Sequence, residues 1–326
     1  MHILVIGGTR FVGRAFAEAA LASGHEITLF HRGRSGLDLF PDVERILGDR
    51  DGGLEPLRGH RFDAVVDTCG YVPRIVRDSA RLLAGSVDRY LFVSSESVYA
   101  DMAAPDQDED APLATIRDPA VETVTDETYG ALKVLCEREV SAALPDRTLV
   151  VRPGYIVGPN DPTDRFTWWV RRSAGGGEML APGPPDLLMR FVDVRDLASW
   201  MLSLLDRAVT GVFNADGPGE AVSAQSLVSR ARSVAGANTR VTWVDSEFLL
   251  ARGMRPDSSE MPLWLPGPEW AGTFDASRAV GAGLKYRPVE RTIADTLAWD
   301  RSRVGVLTTG LSPEREADLL SVWRSR

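Results

Sequence analysis

The sequence predicts an α/β fold, in which a doubly wound parallel sheet is joined to a smaller, partly interleaved α+β domain. Short apolar runs alternate with helical patterns as far as about residue 160, which is typical of consecutive βαβ units. Beyond that point the composition shifts towards glycine, proline and tryptophan, as in "FTWWV" and "GGGEMLAPGPPD". We therefore expect a sheet domain over 1–160, rejoined by about 190–217, and a second domain over 161–189 and 218–326.

The individual elements follow from the position of apolar runs and of the glycines and prolines that end them. Predicted strands are 2–8, 26–33, 43–49, 61–71, 88–99, 147–159 and a late return at 211–217. Predicted helices are 13–25, 72–86 and 129–144. Because parallel strands need a crossover between them, this alternation favours a parallel sheet.

Composition describes an ordinary globular chain with an acidic balance. Of 326 residues, 44% are hydrophobic and 25% charged, and the net charge is -9. Nucleic acids and anionic membranes attract basic proteins, so we expect neither as a partner. Two cysteines suit a reducing cytosol, four histidines lack metal-ligand spacing, and no apolar window approaches twenty residues. We expect a cytoplasmic protein without a metal site.

The stretch "GGTRFVG", residues 7–13, joins the first predicted strand to the first helix. Its glycines allow a tight turn, and the helix N-terminus offers free N–H groups to an anion. This context predicts a pyrophosphate loop of a Rossmann-type dinucleotide domain, with an ordinary glycine-rich turn as the alternative. The candidate cofactor-binding residues are Gly7, Thr9, Arg10, Phe11, Val12 and Gly13.

The end of the second strand indicates which dinucleotide is bound. NAD-binding folds place a carboxylate there to hold the ribose 2′-OH, whereas this chain has His31, Arg32 and Arg34. An arginine pairs with a 2′-phosphate, which an acid would repel. We expect NADP(H), with NAD(H) as the alternative. Further cofactor candidates follow the third and fourth strands: Asp49, Arg50, Cys69 and Gly70.

Lys133 is one of only two lysines in the chain and lies four residues after Tyr129 on a predicted helix. That spacing puts both side chains on one face. A nearby ammonium favours tyrosinate and lowers the phenol's pKa, so Tyr129 can exchange a proton near neutrality. The lysine can also hold ribose hydroxyls. Ser95 ends the fifth strand, at the edge where such sheets bind ligands, and can donate a hydrogen bond to a substrate oxygen.

Six motifs, taken in order, resemble the extended short-chain dehydrogenase/reductase superfamily, the NAD-dependent epimerase/dehydratase family. They are "GGTRFVG", "SSESVY", "YGALK", "RPGYIVGP", "RFVDVRDLA" and "GLKYRP", and they span most of the chain. The resemblance implies Ser95, Tyr129 and Lys133 as the catalytic trio, and Pro153 and Ile156 beside the nicotinamide. It also implies a homodimer formed through the "YGALK" helix.

Three positions depart from that family's pattern. Arg10 stands where a glycine is usual, no acid lies near His31, and "VVDTCGY" replaces His-x-Ala-Ala. The loop is similar to an atypical subgroup that includes chloroplast stem-loop RNA-binding proteins. These departures favour an unusual cofactor or substrate preference over the family's commonest one.

The family's chemistry implies hydride transfer at a carbon that bears oxygen. Glu96 and Ser97 stand where dehydratases carry an Asp-Glu pair, so dehydration is disfavoured. We expect NADPH-dependent reduction of a carbonyl or imine in a small molecule. The alternatives are an NAD-dependent sugar or nucleotide-sugar epimerase or dehydratase and, in another class, a non-catalytic NADP sensor or an RNA-binding protein.

Substrate contacts are expected around the catalytic trio and in the second domain. Arg165 and Arg190 can bind phosphate or carboxylate, and Trp169 can stack on a flat substrate, with core packing as its alternative. Trp264 and Trp270 are candidates for a lid. The full set of substrate candidates is Glu96, Ser97, Tyr155, Arg165, Trp169 and Arg190.

Overall fold

The structure is a computed structural model that describes residues 1–267 and 272–326, and it divides into two compact units. The first unit consists of Met1–Gly154, Val194–Asp216 and Gly272–Lys285. The second holds the other described residues, beginning with Tyr155–Asp193 and ending with Tyr286–Arg326. The chain therefore crosses between units repeatedly. Residues 272–285 lie in the first unit, whereas the sequence predicts them in the second domain.

Strands and helices alternate along the first half of the chain and mix less regularly afterwards. The strands are β1 (His2–Ile6), β2 (Glu26–His31), β3 (Glu44–Leu47), β4 (Phe62–Asp67), β5 (Val87–Val93), β6 (Thr148–Pro153), β7 (Ile156–Val157), β8 (Glu178–Pro182), β9 (Val192–Asp193), β10 (Gly211–Ala215) and β11 (Arg240–Val244). The helices are α1 (Phe11–Ala22), α2 (Pro73–Leu83), α3 (Asp126–Ala143), α4 (Arg165–Ala174), α5 (Val194–Asp206), α6 (Ala224–Ala235), α7 (Ser246–Ala251), α8 (Ser277–Gly281), α9 (Val289–Ser302) and α10 (Pro313–Arg324).

The first unit is built on a seven-stranded sheet in the order β10-β6-β5-β4-β1-β2-β3. Every neighbouring pair in it is parallel. The order reverses after β1, so the carboxyl ends of β1 and β4 form the switch point of a doubly wound sheet, where such folds bind ligands. The predicted fold class is confirmed.

Helices cover both faces of this sheet. On one face α2 packs against α3, and Val76 and Cys136 join Leu4, Tyr90 and Phe92 in one buried cluster. Side chains of neighbouring strand residues point to the opposite face. There α1 packs against α5, with Phe16 of α1 fully buried. Burial on both faces explains why the strands read as continuous apolar runs.

The second unit has a core of its own. Two short parallel pairs, β11 with β8 and β7 with β9, accompany α4, which packs against α6 and α9. The core contains Trp168, Trp169 and Trp264. The tryptophan-rich composition of this part of the sequence therefore reflects core packing within the unit.

Candidate functional site

The glycine loop between β1 and α1 has the backbone that its sequence predicts. Gly7 and Gly8 have φ angles of 107° and 82°, which side chains with a Cβ rarely adopt. A Cβ on Gly13 would lie 2.6 Å from the Gly8 nitrogen, so helix and loop touch through bare backbone. Thr9 is buried, Arg10 is exposed just before α1, and Phe11 and Val12 form its first turn. This cradle of unhindered backbone at a helix N-terminus fits a pyrophosphate.

A basic segment after β2 lies against that loop. The hydroxyl oxygens of Thr9 and Ser35 are 3.1 Å apart, which holds residues 32–36 beside the glycine loop. Arg10, Arg32 and Arg34 are exposed, and none pairs with an acid in the described residues. Burial, and then the charge of Arg45, lower the pKa of His31, which is therefore neutral near pH 7. The positive charge at this edge comes from arginines alone.

Asp49 and Arg50 follow β3, and they differ in whether their side chains are accessible to a ligand. Asp49 is exposed, and its Oδ1 accepts a hydrogen bond from the Asp51 N–H at 3.1 Å. Arg50 is buried, and its guanidinium donates to Asp67 at 2.6 and 2.5 Å and to the Ser79 hydroxyl at 2.8 Å. A buried charge needs such a partner in the interior. The guanidinium predicted to bind the cofactor is thus committed to Asp67.

The turn at residues 68–71, which follows β4, bridges the glycine loop and β5. The Thr68 hydroxyl donates to the Ile6 carbonyl at 3.1 Å and lies 2.6 Å from where a Gly7 Cβ would stand. The Cys69 sulfur is 3.7 Å from the same point, and burial raises the pKa of its thiol. A Cβ on Gly70 would lie 2.5 Å from the Phe92 ring. Cys69 therefore lies beside the glycine loop and Gly70 packs against β5, and their binding of a cofactor stays a prediction.

Lys133 is held at the centre of this edge by backbone oxygens. Its ammonium donates to the carbonyls of Gly70 and Val93 at 2.8 and 2.7 Å and lies 4.2 Å from the Phe92 ring centroid. Only 2% of the residue's surface is exposed, and burial lowers its pKa to about 8. An ammonium has three N–H donors, so one is not used by these two carbonyls.

Two tyrosines stand next to this ammonium. Tyr129 lies four residues before Lys133 on α3, whose N-terminus is fixed by a capping box at Thr125. The ring of Tyr71 is 6.4 Å from the Tyr129 ring and 5.5 Å from the Lys133 nitrogen. The structure therefore brings the predicted pair together and adds Tyr71, which sequence reasoning missed because no local pattern links the β4 turn to α3.

Ser95 lies at the start of a short 3-10 turn, Glu96–Val98, at the end of β5. Its hydroxyl accepts from the Ser97 N–H and donates to the Ser97 hydroxyl, both at 3.1 Å. A Cβ on Gly130 would overlap the Ser97 carbonyl oxygen, so this turn rests directly on α3. Close approach to Gly130 places the serine turn next to Tyr129.

Two buried carboxylates flank Gly154, just after Pro153 at the end of β6. A Cβ on Gly154 would lie 2.6 Å from Glu96 Oε2 and 2.7 Å from Asp216 Oδ1. Glu96 was a sequence candidate, whereas Asp216 was not, because only the return of β10 to the sheet brings it here. The first unit thus carries two acids at the carboxyl ends of β5 and β10.

The remaining substrate candidates lie in the second unit, as does Ile156 in β7. The Tyr155 hydroxyl donates to Asp257 at 2.7 Å, and Arg165 lies 3.8 Å from the same carboxylate. Arg190 is half-buried and precedes β9. The structure joins Tyr155 and Arg165 through Asp257, a partner that their sequence separation hides.

Trp169 and Trp264, which the sequence offers as a substrate contact and a lid residue, lie in the core of the second unit. Trp169 is 1% exposed and donates to the Pro262 carbonyl at 2.8 Å, so it is a core residue and not a stacking surface. Trp264 is likewise buried and donates to the Gly183 carbonyl at 3.0 Å. Trp270 lies outside the described residues. Both indoles pack in the apolar core of the second unit, and each satisfies its N–H with a backbone carbonyl.

Asp161 is a buried carboxyl that sequence reasoning missed. Its Oδ1 accepts from the backbone and hydroxyl of Thr163, both at 2.8 Å, while its Oδ2 has no hydrogen-bond partner among the described residues. Burial raises its pKa to about 6. Ionisation of this carboxyl therefore costs free energy in the folded state.

Asp161→Asn is expected to change how stability depends on pH. Because the folded pKa lies above the unfolded one, wild type loses stability as pH rises from about 4 to about 6, and the variant does not. The unfolding free energy of the variant, relative to wild type, should rise by on the order of 1–3 kcal/mol over that window. Urea unfolding at four pH values measures it, with the exposed Asp186→Asn as control. If the free energies of unfolding of Asp161→Asn and wild type changed with pH in parallel, the raised pKa of Asp161 would be contradicted.

The part of the chain that the structure describes contains neither a cluster of metal-ligating side chains nor a helix able to span a membrane. Within 1–267 and 272–326, no group of three or more His, Cys, Asp or Glu side chains is arranged to hold a metal ion. No helix in those ranges is both long and apolar enough to cross a membrane. Cys69 and Cys136 are free thiols.

Comparison with known proteins agrees with this geometry. Residues 3–215 match the model of the NAD dependent epimerase/dehydratase family. The chain is 26% identical over 234 residues, 66% of its length, to a chloroplast stem-loop binding protein of 41 kDa from Arabidopsis thaliana, of which it spans only 58%. It is also 26% identical over 264 residues to a dTDP-6-deoxy-L-talose 4-dehydrogenase (NAD(P)(+)) from Kitasatospora kifunensis, covering 74% of this chain and 82% of that one.

A solved structure of the same architecture is UDP-glucuronic acid 4-epimerase from Bacillus cereus in complex with NAD. It shares 15% identity, covers 93% of this chain and 99% of its own, and superposes with a TM-score of 0.67, which shows a common fold. The match of the family model covers more than half of the chain and includes the glycine loop, the serine turn and the Tyr129–Lys133 helix. This chain therefore belongs to the NAD-dependent epimerase/dehydratase family.

Proposed function

We propose that the protein catalyses NADPH-dependent reduction of a carbonyl or imine in a small molecule. The observation that carries the proposal is the Lys133 ammonium, buried beside Tyr129 and held by two carbonyl oxygens at the edge where the glycine loop ends. The named activity of the Kitasatospora relative, a dehydrogenase that uses NAD(P)+, also favours net redox chemistry.

Each catalytic side chain has one task in this reaction. NADPH, held by the glycine loop and by Lys133, would supply the hydride for reduction of the carbonyl carbon. The Tyr129 hydroxyl gives its proton to the oxygen, which becomes an alcohol, and the positive charge of Lys133 stabilises the tyrosinate that remains. Ser95 donates a hydrogen bond to the same oxygen as negative charge develops on it. Hydride and proton together balance the two-electron reduction.

The arginines favour NADP(H) as the cofactor. The contact between the hydroxyls of Thr9 and Ser35 gathers Arg10, Arg32 and Arg34 at one edge, and none of the three forms an ion pair within the described residues. A phosphate on the ribose would receive charge-assisted hydrogen bonds there, and no acid stands at the end of β2 to repel it. We propose that Asp49, which is exposed after β3, accepts a hydrogen bond from the adenine amino group.

Arg32→Ala is expected to remove the preference for the phosphorylated cofactor. Wild type should bind NADPH at least about tenfold tighter than NADH, or about 1.4 kcal/mol, and the variant should bind both alike. Fluorescence titration measures both affinities. Arg61→Ala serves as the control, because Arg61 is also exposed but lies at the opposite end of β4. A wild type that prefers NADH would contradict the proposed cofactor.

A sugar or nucleotide-sugar epimerase is the second candidate, because the structural relatives include a UDP-glucuronic acid 4-epimerase in complex with NAD. The same trio would then oxidise and re-reduce one carbon with a retained NAD. Dehydration has less support, since Glu96 is followed by Ser97 where a second acid is needed. Release of NAD on denaturing the purified protein would favour the epimerase, whereas cofactor-free protein favours the reductase.

The proposal extends to partners and location. A small-molecule substrate is the expected partner, and a homodimer through α3 is the expected assembly. A net charge of -9 disfavours nucleic acid and membrane surfaces, and we propose a cytoplasmic location. The non-catalytic alternatives, a cofactor sensor or an RNA-binding protein, would not need Ser95, Tyr129 and Lys133 together. A filter-binding assay with structured RNA tests the second of these.

A further inference from the structure

The turn at residues 68–71 leads from the glycine loop directly to Lys133. Its first residues contact Gly7 and the Ile6 carbonyl, and the Gly70 carbonyl accepts from the Lys133 ammonium. Tyr71 is the last residue of this turn. A dinucleotide that begins on the glycine loop and ends at the catalytic pair therefore runs alongside the turn and reaches Tyr71 at its nicotinamide end.

The Tyr71 ring lies beside Lys133 and Tyr129, at the catalytic end of that path. The charge of Arg10, at the glycine loop, acts on its phenol, while the Lys133 nitrogen lies 5.5 Å and the Tyr129 ring 6.4 Å from its centroid. The two tyrosine rings are inclined at 37°. Tyr71 thus completes an enclosure of the ammonium, with the Phe92 ring and two carbonyls on the other sides.

Part of this ring is left uncovered. Tyr71 is 47% exposed, although its ring centroid lies 5.5 Å from the nitrogen of Lys133, a residue that is only 2% exposed. Its hydroxyl makes no hydrogen bond to the described residues. Desolvation, and then Tyr129, raise its pKa to about 12, so the ring stays neutral while Tyr129 exchanges protons. An open, neutral aromatic face at this position suits a planar ring, because aromatic rings pack in offset or tilted pairs.

We propose that Tyr71 binds the nicotinamide half of the dinucleotide, packing its ring against that end of the cofactor over Lys133. The inference rests on the proposed function, since it needs a dinucleotide on the glycine loop. It goes beyond that function by assigning a binding role to a residue outside the catalytic trio. It also explains why a large aromatic side chain follows Gly70 without being buried.

Calorimetric titration with two ligands tests the assignment. NADPH carries the nicotinamide, whereas 2′,5′-ADP keeps the adenosine phosphates and lacks it. Tyr71→Ala should weaken NADPH binding by about 3- to 10-fold and leave 2′,5′-ADP binding unchanged, and Tyr71→Phe should bind both as wild type does. The pair NADH and ADP gives the same comparison if wild type prefers the unphosphorylated cofactor.

Each other outcome overturns the assignment. If Tyr71→Ala weakened the binding of NADPH and of 2′,5′-ADP equally, the substitution would distort the turn and the glycine loop. Tyr71 would then have a structural role and not a binding role. Unchanged NADPH binding would place the ring away from the cofactor. Wild type that binds no dinucleotide at all would sink the proposed function itself and this inference with it. Thermal unfolding of each variant confirms that it is folded.

Discussion

Gly130→Ala is expected to destabilise the protein by about 1–3 kcal/mol and to displace the Ser95 turn. Alanine favours a helix over glycine by about 1 kcal/mol, so the substitution would help an exposed helix. At Gly130, however, the new Cβ would overlap the Ser97 carbonyl oxygen, which is backbone and cannot rotate away. The clash outweighs the helix preference, and either α3 or the turn must move.

Urea unfolding and activity measure the two consequences of this substitution. The matched control is Gly281→Ala in α8, where an added Cβ would meet nothing within 4 Å. That variant should be as stable as wild type or slightly more so. Because Ser95 and Tyr129 flank the contact, Gly130→Ala should also lower activity at least about tenfold, as small misplacements do. A fully stable and active Gly130→Ala would mean that the turn yields without cost.

The fold could be predicted because its signals are local. Apolar runs of strand length, separated by helical patterns, dictate a parallel sheet whichever partner each strand chooses. The glycine loop could be predicted for the same reason. Gly7 and Gly8 adopt positive φ angles, and Gly13 leaves no Cβ between the helix and the loop. The position of Lys133 after Tyr129 follows from helix geometry alone.

What each side chain touches could not be predicted, because those contacts join distant parts of the chain. Gly70 and Val93, which hold the Lys133 ammonium, are 63 and 40 residues away from it. Arg50 follows a strand and looked available, but the neighbouring strand β4 presents Asp67 to it. Tyr71 and Asp216 were missed because only the packed sheet brings them to the site.

Compositional shifts proved a weaker guide than strand patterns. The tryptophans after residue 160 indicated a separate domain, and Trp168, Trp169 and Trp264 do pack in the core of the second unit, whereas Trp200 lies in the first unit. Burial in that core leaves Trp169 no surface for stacking on a substrate, so core packing, the alternative to a substrate contact, describes it.

Residues 272–285 return to the first unit. There Phe274 forms an isolated β-bridge with Gln107, and the Asn214 side chain donates a hydrogen bond to the Asp275 carbonyl. Such returns depend on pairings between short segments, which leave no periodic signal.

Lys133→Met is expected to lower the reduction rate by about 10²–10⁴-fold and to weaken NADPH binding. The variant removes the charge that stabilises the Tyr129 anion and leaves the Gly70 and Val93 carbonyls without their donor. Lys133→Arg should not restore activity, because a broad guanidinium does not fit where the ammonium lies between two carbonyls and the Phe92 ring. Tyr129→Phe should lower the reduction rate but leave the NADPH affinity unchanged. The comparison separates the role of Lys133 in stabilising the Tyr129 anion from its role in cofactor binding.

The pH dependence of activity gives a second, independent test of the role of the Lys133 ammonium. Burial lowers its pKa to about 8, so the ammonium is present below that value and lost above it. Wild-type activity should therefore fall as pH rises through about 8, in a range where an ordinary lysine stays charged. Cofactor affinity should fall in the same range, because the ammonium that we propose to hold the ribose hydroxyls loses its charge. If Lys133→Arg keeps both rate and affinity and only flattens the fall above pH 8, charge alone matters at this position and the fit of an ammonium does not.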